Sequence, residues 1–169
     1  VTDNPVNRCY YCKQGVFGTI LEAAKNDGMT VILDGTNASD DADDRPGMKA
    51  LQEMKVLSPL RMCGYVKSEI RKQSKEAGLF VYNKPSYACL ATRIPTGTEI
   101  DEEKIKQVET AETFLFNLGF SDFRVRWMDN KAKIQMPESQ LQALMEKREV
   151  VLEELSKIFD EVLLDLRTR

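Results

Sequence analysis

The chain has 169 residues, 42% hydrophobic and 30% charged, a balance that excludes intrinsic disorder and is typical of a globular protein. A formal net charge of −3 provides no general attraction for nucleic acid, and no apolar run is long enough to predict a membrane-spanning helix. Because the sequence contains no histidine, a metal site would have to use thiolates, carboxylates or an exogenous ligand.

The first half of the chain predicts alternating helices and short strands. Asn7 is expected to cap a helix that begins near Arg8, and Gly28 is expected to end it. The other elements are short: strands over residues 30–33, 56–60 and 79–82, and helices over residues 46–54 and 66–77. With so few strands, this half predicts part of a parallel sheet, and we expect further strands to precede Val1.

Residues 84–97 separate this half from a second one with a different pattern. The segment is rich in proline, glycine and small residues, so it cannot form a long regular element. It also carries Cys89 beside several hydroxyl and basic side chains. We interpret Cys89 as a residue that handles sulfur or iron next to a nucleotide site; the alternative is a turn with one buried cysteine.

Residues 98–169 predict the order α-β-β-α-β. Asp101 is expected to cap the first helix of this half and Gly119 to end it. The later elements follow in turn: strands 123–127 and 132–136 around an Asp129-Asn130 turn, a long helix from 137 to about 158, and a strand over 161–166. This order favours a small antiparallel sheet with two helices on one face. The predicted fold class is α/β, with one domain over residues 1–97 and a small α+β domain over residues 98–169.

Cys9 and Cys12 fall three residues apart in the first turn of the first predicted helix, on one face. The pair could be a redox-active dithiol, half of a zinc site that Cys63 and Cys89 complete, or two ligands of an iron–sulfur cluster. Two incidental cysteines in a helix turn are the remaining alternative. A redox dithiol usually follows a strand, whereas here a loop precedes the pair, so that option is disfavoured.

Polar and acidic residues follow the first predicted strand, at the end where α/β sheets bind ligands. They are Asp34, Gly35, Thr36, Asn37, Asp40 and Asp41. Carboxylates bind Mg²⁺ well, and a glycine allows the backbone to approach a phosphate. The segment could hold Mg²⁺ with a phosphate or adenylate; the alternative is a solvated acidic loop.

Arg124 and Arg126 alternate along a predicted strand and therefore share one of its faces. Two adjacent guanidinium groups repel each other unless an anion joins them, and arginine matches phosphate or carboxylate with two hydrogen bonds. The pair predicts an anion site, or else an exposed face with carboxylate neighbours.

Six motifs occur in order along the chain and resemble one family as a set. They are Asn4-Pro5, Arg8-Cys9-Tyr10-Tyr11-Cys12-Lys13, Asp34-Gly35-Thr36-Asn37, Arg45-Pro46-Gly47, Lys84-Pro85-Ser86 with Ala88-Cys89-Leu90-Ala91-Thr92-Arg93-Ile94-Pro95, and Arg124-Val125-Arg126. They resemble the LarE family, ATP-dependent sulfurtransferases of the PP-loop pyrophosphatase superfamily that help make the nickel-pincer nucleotide cofactor of lactate racemase. The resemblance implies that residues 1–97 are the later part of a PP-loop domain with a linker, and that residues 98–169 serve substrate binding or oligomerisation.

The resemblance implies a reaction in two steps. A carboxylate of a pyridinium biscarboxylate mononucleotide is adenylated by ATP with Mg²⁺, and sulfur then displaces AMP. The resemblance also implies a cytoplasmic homo-oligomer whose partner is the small nucleotide substrate, with neither nucleic acid nor a membrane as a partner.

The resemblance assigns the cysteines to the transfer of sulfur. Cys9, Cys12 and Cys89 match a branch of such enzymes in which three cysteines hold a [4Fe-4S] cluster, whose open iron carries a hydrosulfide as the sulfur donor. Cys89 as a sacrificial donor is the alternative. Cys63 lies outside the motifs and is assigned to packing.

The resemblance divides the other site residues between two ligands. The nucleotide is assigned Asp34, Gly35, Thr36, Asn37 and Asp41. The substrate phosphate is assigned Arg124 and Arg126, with Thr92, Arg93 and Glu112 near the same site.

The family's phosphate loop, Ser-Gly-Gly-x-Asp-Ser, is absent from this sequence. We expect a strand, a glycine-rich loop and a helix upstream of the given chain, without which it would not complete the reaction. Two other functions stay open. One is a thiolate metal-binding module that lacks catalysis; the other is a relative of tRNA-thiolation enzymes, against which the acidic charge balance counts.

Overall fold

The computed structural model describes residues 1–40 and 46–168. In these ranges the fold is mixed α/β, with seven α-helices and one three-stranded sheet. The chain divides into two compact units. The first unit comprises Val1 and Pro5–Lys84, and the second comprises Thr2–Asn4 and Pro85–Arg169.

The first unit consists mainly of helices. They are α1 (Arg8–Asn26), α2 (Pro46–Glu53), α3 (Pro59–Met62) and α4 (Lys67–Glu76). Helices α1 and α2 pack against each other, and α2 contributes the buried residues Gly47, Ala50 and Leu51. The three longer helices confirm the predicted ones, and Gly28 lies beyond the end of α1 with the expected positive φ of 73°.

The strands predicted in the first unit were wrong. Residues 30–33 and 56–60 meet in a single parallel bridge, Leu33 with Leu57, supported by hydrogen bonds on either side of it. No other described segment pairs with them, and Val31, Leu33 and Leu57 are exposed, whereas Val56 is buried. A single bridged pair, with no further strand beside it in the described ranges, has little to extend it into a sheet. Residues 79–82 form turns, because the Leu79 N–H folds back to close the end of α4.

The second unit contains the sheet. Its elements are α5 (Glu102–Asn117), β1 (Arg124–Met128), β2 (Lys131–Gln135), α6 (Leu141–Glu146), α7 (Arg148–Leu155) and β3 (Glu161–Leu164). Short 3-10 turns occur at Leu90–Arg93 and Glu138–Gln140. Asp101 caps α5 as predicted, since its Oδ1 accepts the Lys104 N–H at 2.8 Å.

Strands β1 and β2 form the predicted hairpin. Their antiparallel register places Arg124 opposite Gln135 and Arg126 opposite Lys133. Asp129 and Asn130 make the turn, with φ values of 47° and 59°. A two-residue turn with both φ angles positive matches the twist of the flanking strands, which explains why this dipeptide was a good signal.

The sheet is mixed, not antiparallel as predicted. The strand order is β1-β2-β3, and β3 runs parallel to β2, with Lys131 opposite Glu161. Helices α6 and α7 connect β2 to β3. They return the chain to the end of the sheet at which β2 begins, so that β3 runs in the same direction as β2. Such a crossover joins parallel strands, whereas a hairpin joins antiparallel ones.

The long helix predicted over residues 137–158 is broken. A 3-10 turn precedes α6, and Lys147 separates α6 from α7. The Lys147 N–H is shared between the carbonyls of Ala143 and Leu144, and its Nζ donates to the Leu118 carbonyl at 2.7 Å. This tertiary contact at the end of α5 accompanies a break that no proline or glycine marks.

One hydrophobic core joins α5, the sheet, α6 and α7 of the second unit. Its fully buried members include Ala111, Leu115, Val125, Ala132 and Leu155. Helix α5 and strand β1, which carry Glu112, Arg124 and Arg126, are therefore anchored in one packed cluster. Among the described residues, no helix has both the length and the apolar character needed to cross a membrane.

Candidate functional site

The Cys89 segment, residues 86–93, is an irregular stretch of the second unit that ends in a 3-10 turn. The Cys89 carbonyl accepts the Thr92 N–H at 2.9 Å and the Thr92 hydroxyl at 2.7 Å. The Cys89 side chain is exposed, which contradicts the alternative of a turn with a buried cysteine. The segment thus presents a thiol to solvent from a backbone that is locally hydrogen-bonded.

A buried ion pair attaches this segment to α5. Arg93 is 1% exposed and Glu112 is 2% exposed. Two parallel hydrogen bonds join them: Arg93 Nε donates to Oε1 at 2.7 Å, and Nη2 donates to Oε2 at 3.0 Å. This bidentate geometry is the strongest form that an arginine–carboxylate contact takes.

Glu112 also accepts hydrogen bonds from two groups outside the ion pair. The Tyr87 hydroxyl donates to Oε2 at 2.8 Å, and the Val125 N–H of β1 donates to Oε1 at 2.9 Å. Partial burial, together with the hydrogen bond to the Glu112 carboxylate, raises the pKa of Tyr87 to about 12. Tyr87 is therefore a hydrogen-bond donor at neutral pH.

Arg124 and Arg126 hold the two ends of the Cys89 segment. Arg124 Nη2 donates to the Ser86 carbonyl at 2.7 Å, and Arg126 Nη1 donates to the Thr92 carbonyl at 3.0 Å. The two guanidinium groups thus contact backbone three residues before and three residues after Cys89. Their assignment to a substrate phosphate stays a prediction.

Gln135 supports Arg126 and was not expected from the sequence. Its Oε1 accepts the Arg126 Nε–H, and its Nε2 donates to Asp165 Oδ2 at 2.8 Å. Asp165 also pairs with Lys133 at 2.7 Å, and the hydrogen bonds from Lys133 and Gln135 hold its pKa well below the ordinary range. The hairpin register that Asp129-Asn130 predicts would have placed Gln135 beside the arginines.

Cys9 and Cys12 lie in the first turn of α1, as predicted, and both are exposed. Asn7 occupies the capping position, but its side chain makes no capping hydrogen bond. Cys63 is exposed, so its assignment to packing was wrong. Within either unit, no three described Cys, Asp or Glu residues form a group that could hold a metal. Because Cys89 belongs to the second unit, a site shared by the three motif cysteines stays a prediction.

Asp34 organises the loop that follows the Leu33 bridge. Its carboxylate accepts the Thr36 hydroxyl and the Ser58 hydroxyl, both at 2.6 Å. Partial burial works to raise the pKa of Asp34, but the hydrogen bonds from Ser58 and Thr36 and the charge of Lys13 outweigh it, so the pKa is lowered. Asp34 is therefore a carboxylate at neutral pH.

Ser58 was missed in the sequence, although a signal for it existed. It follows Leu57 directly, as Asp34 follows Leu33, and the two leucines form the parallel bridge. Side chains just beyond the same ends of paired parallel segments meet at one edge.

Gly35, Thr36 and Asn37, also predicted for the nucleotide, lie in the same loop. Asn37 donates to Asp40 Oδ2 through its backbone N–H at 3.0 Å and through Nδ2 at 2.8 Å. Gly35 is exposed, and no atom lies within 4 Å of the place where a Cβ would be. Asp41 lies outside the described residues. The structure therefore brings Asp34 and Thr36 into contact, whereas Asn37 contacts Asp40.

Comparisons with known proteins find relatives over most of this chain. It is 39% identical over 158 residues to an uncharacterized protein of Synechocystis, covering 94% of this chain and 58% of that protein. It is 32% identical over 151 residues to an uncharacterized protein of Methanocaldococcus jannaschii, covering 89% of this chain and 59% of that protein. No family model matches the chain.

One relative carries a functional name. The chain is 33% identical over 141 residues to the pyridinium-3,5-bisthiocarboxylic acid mononucleotide synthase of Lactiplantibacillus plantarum, covering 83% of this chain and 51% of that protein. The chain thus spans between half and three fifths of the length of these relatives.

Proposed function

We propose that this chain belongs to the LarE family and forms part of an ATP-dependent sulfurtransferase that acts on the carboxylates of a pyridinium biscarboxylate mononucleotide. The observation that carries the proposal is the 33% identity with a synthase named for a pyridinium bisthiocarboxylic acid mononucleotide. Converting a carboxylate into a thiocarboxylate replaces one oxygen with sulfur, which is the chemistry that the exposed motif cysteines suit.

The proposed reaction has two steps. A carboxylate oxygen of the substrate attacks the α-phosphorus of ATP, and pyrophosphate leaves. A sulfur nucleophile then attacks the carbonyl carbon, and AMP leaves with the original oxygen. Adenylation is needed because an oxide ion is a poor leaving group, whereas AMP is a good one.

The loop around Asp34 is proposed to bind ATP and Mg²⁺. Asp34 is held as a carboxylate by Ser58 and Thr36, and carboxylate oxygens suit Mg²⁺. Asn37 and Asp41 complete the proposed set, with the open backbone at Gly35 available to a phosphate.

Arg124 and Arg126 are proposed to bind the phosphate of the substrate nucleotide. A guanidinium carries five N–H donors, and Arg126 uses Nε and Nη1 in the contacts described above. Thr92 and Arg93 lie in the Cys89 segment that these arginines hold. The phosphate and the thiol of Cys89 would thus be served by one small group of residues.

The sulfur donor is proposed to be a [4Fe-4S] cluster held by Cys9, Cys12 and Cys89, which would supply a hydrosulfide. Thiol side chains are the donor type that such clusters use, and all three are exposed. The alternative donor is Cys89 itself: its thiolate would displace AMP to form a thioester, and β-elimination would then break the Cβ–S bond, release the thiocarboxylate and leave dehydroalanine.

The test uses full-length protein, purified without oxygen and assayed with ATP, Mg²⁺ and pyridinium-3,5-biscarboxylic acid mononucleotide. Mass spectrometry should detect AMP and the thiocarboxylate product, and Cys89→Ala should abolish the product. Cys63→Ala is the matched control, because Cys63 is also an exposed thiol but lies outside the motifs.

Three results distinguish the proposal from its alternatives. Iron and sulfide that are lost in Cys9→Ala and Cys12→Ala would support the cluster, and a Cys89 peptide lighter by H₂S would support the sacrificial donor. Stoichiometric zinc, with neither AMP nor thiolated product, would contradict the proposal and favour a metal-binding module.

A further inference from the structure

The Glu112 carboxylate, buried in α5, accepts four hydrogen bonds close to Cys89. Oε1 accepts from Arg93 Nε and the Val125 N–H, and Oε2 accepts from Arg93 Nη2 and the Tyr87 hydroxyl, all between 2.7 and 3.0 Å. A carboxylate has about four acceptor sites, so these four donors fill it. Glu112 therefore has no acceptor site left with which to bind a substrate or a metal ion.

Three of the four donors flank Cys89 in the chain, and the fourth is the Val125 N–H of β1. Tyr87 lies two residues before it, and Arg93 lies four residues after it. Arg93 extends the contact, since its Nη1 donates to the Ala88 carbonyl at 3.3 Å and to the Thr92 hydroxyl at 2.9 Å. One buried side chain of α5 thus fixes the Cys89 segment at both ends.

Glu112 also sets the position of the segment relative to the two arginines of β1. The Val125 N–H that it accepts lies between Arg124 and Arg126 in the strand. The ring centroid of Tyr87 lies 5.5 Å from the Arg93 guanidinium and 6.0 Å from that of Arg124, so the same residues also contact one another. A change in the Glu112 carboxylate would move the segment and the strand together.

We infer that Glu112 is a positioning residue for Cys89, which acts by holding residues 86–93 against α5 and β1 and contacts neither the substrate nor the transferred sulfur. This inference rests on the proposed role of Cys89 in sulfur transfer. A buried carboxylate is suited to the task, because its charge is stable there only while its donors stay in place.

The test is Glu112→Gln in the full-length protein. The amide keeps the size of the side chain, but it removes the charge and turns two acceptor sites into N–H donors that face other donors. We expect amide hydrogen exchange in a peptide covering residues 86–93 to accelerate at least tenfold. We also expect kcat of sulfur transfer to fall at least tenfold, while KM for the nucleotide and AMP formation change less than twofold.

Two further variants separate positioning from general loss of stability. Val151→Ala creates a cavity in the core of the same unit without touching the Cys89 segment, and it should leave both measurements unchanged. Tyr87→Phe removes one donor from an exposed ring and should fold even if Glu112→Gln does not; it should accelerate exchange at residues 86–89 at least threefold.

The inference would be overturned by exchange at residues 86–93 that matches wild type in both Glu112→Gln and Tyr87→Phe, or that accelerates equally in Val151→Ala. A rise in KM with unchanged kcat in Glu112→Gln would also overturn it, because that result indicates direct substrate binding. If the wild-type protein forms no thiocarboxylate, the proposed function fails, and the exchange measurement still decides whether Glu112 holds the segment.

Discussion

At the scale of single residues, the Arg93–Glu112 pair determines how the second unit responds to substitution. Arg93→Met leaves a buried carboxylate without its counter-charge, and we expect it to lower the free energy of unfolding by about 3–5 kcal/mol. The double variant Arg93→Met/Glu112→Leu removes both charges and leaves the Val125 N–H and the Tyr87 hydroxyl without their Glu112 acceptor. We expect it to lose about 1–3 kcal/mol, which is less than the single variant.

Urea denaturation of both variants and of Glu112→Leu measures this difference. The double variant should be more stable than Arg93→Met, which is the signature of a coupled buried pair. If the loss of unfolding free energy in the double variant equals the sum of the losses in the two single variants, Arg93 and Glu112 contribute to stability independently, and the prediction is wrong.

At the scale of elements, the β1–β2 turn is the part of the fold that local sequence controls most directly. Asp129 has a φ of 47°, where a β-branched side chain is strained. We expect Asp129→Val to lower the free energy of unfolding by about 1–2 kcal/mol. Asp129→Gly is the matched control at the same position, and it should be neutral or stabilising because glycine adopts positive φ freely. Equal losses in both variants, measured by thermal unfolding, would show that the Asp129 side chain matters more than its backbone conformation.

The same contrast between local and distant causes explains which elements could be predicted. Asp101, Gly28 and the Asp129-Asn130 turn act on their own neighbours in the chain, so their sequence signals were sufficient. The break at Lys147 depends on the Leu118 carbonyl, which lies 29 residues away in the chain. Likewise, the parallel pairing of β3 depends on a crossover, and no local pattern encodes strand direction.

The candidate site divides in a similar way. Its thiols, Arg124 and Arg126 could be selected by residue type and spacing, since those features are visible in the chain itself. The partners of these residues could not be selected, because Ser86 meets Arg124 across 38 positions and Gln135 meets Arg126 across the hairpin. Glu112 was assigned to a site only through the family resemblance, and its four donors became visible only in the fold.

At the scale of the whole molecule, the two units differ in how much apolar surface they bury. The second unit contains a contiguous core around Leu115, Ile134 and Leu155. In the first unit, the described hydrophobic residues that are buried are Ala50, Leu51 and Val56, while others such as Phe80 are exposed. Because burial of apolar area is the main stabilising contribution, the units should differ in local stability.

Hydrogen exchange of this 169-residue chain should therefore show a strong contrast. We expect amides of α5, β1 and β2 to exchange at least a hundredfold more slowly than those of α1 and α4 in the same sample. Equal protection of the two sets of elements would contradict the expectation. It would mean that the apolar area buried within a unit does not determine how readily that unit unfolds locally.

If Arg124 and Arg126 bind the substrate phosphate as proposed, their contacts with Ser86 and Thr92 would couple phosphate binding to the mobility of the chain around Cys89. A phosphate that competes with the Thr92 carbonyl for Arg126 would remove a contact that holds the chain next to Cys89. The chain there would be destabilised by the free energy of the lost contact. By reciprocity, whatever tightens the chain there must weaken the grip on phosphate by the same factor. Under the proposed function, binding of the substrate nucleotide would therefore release the chain around Cys89, which the two arginines would otherwise hold in place.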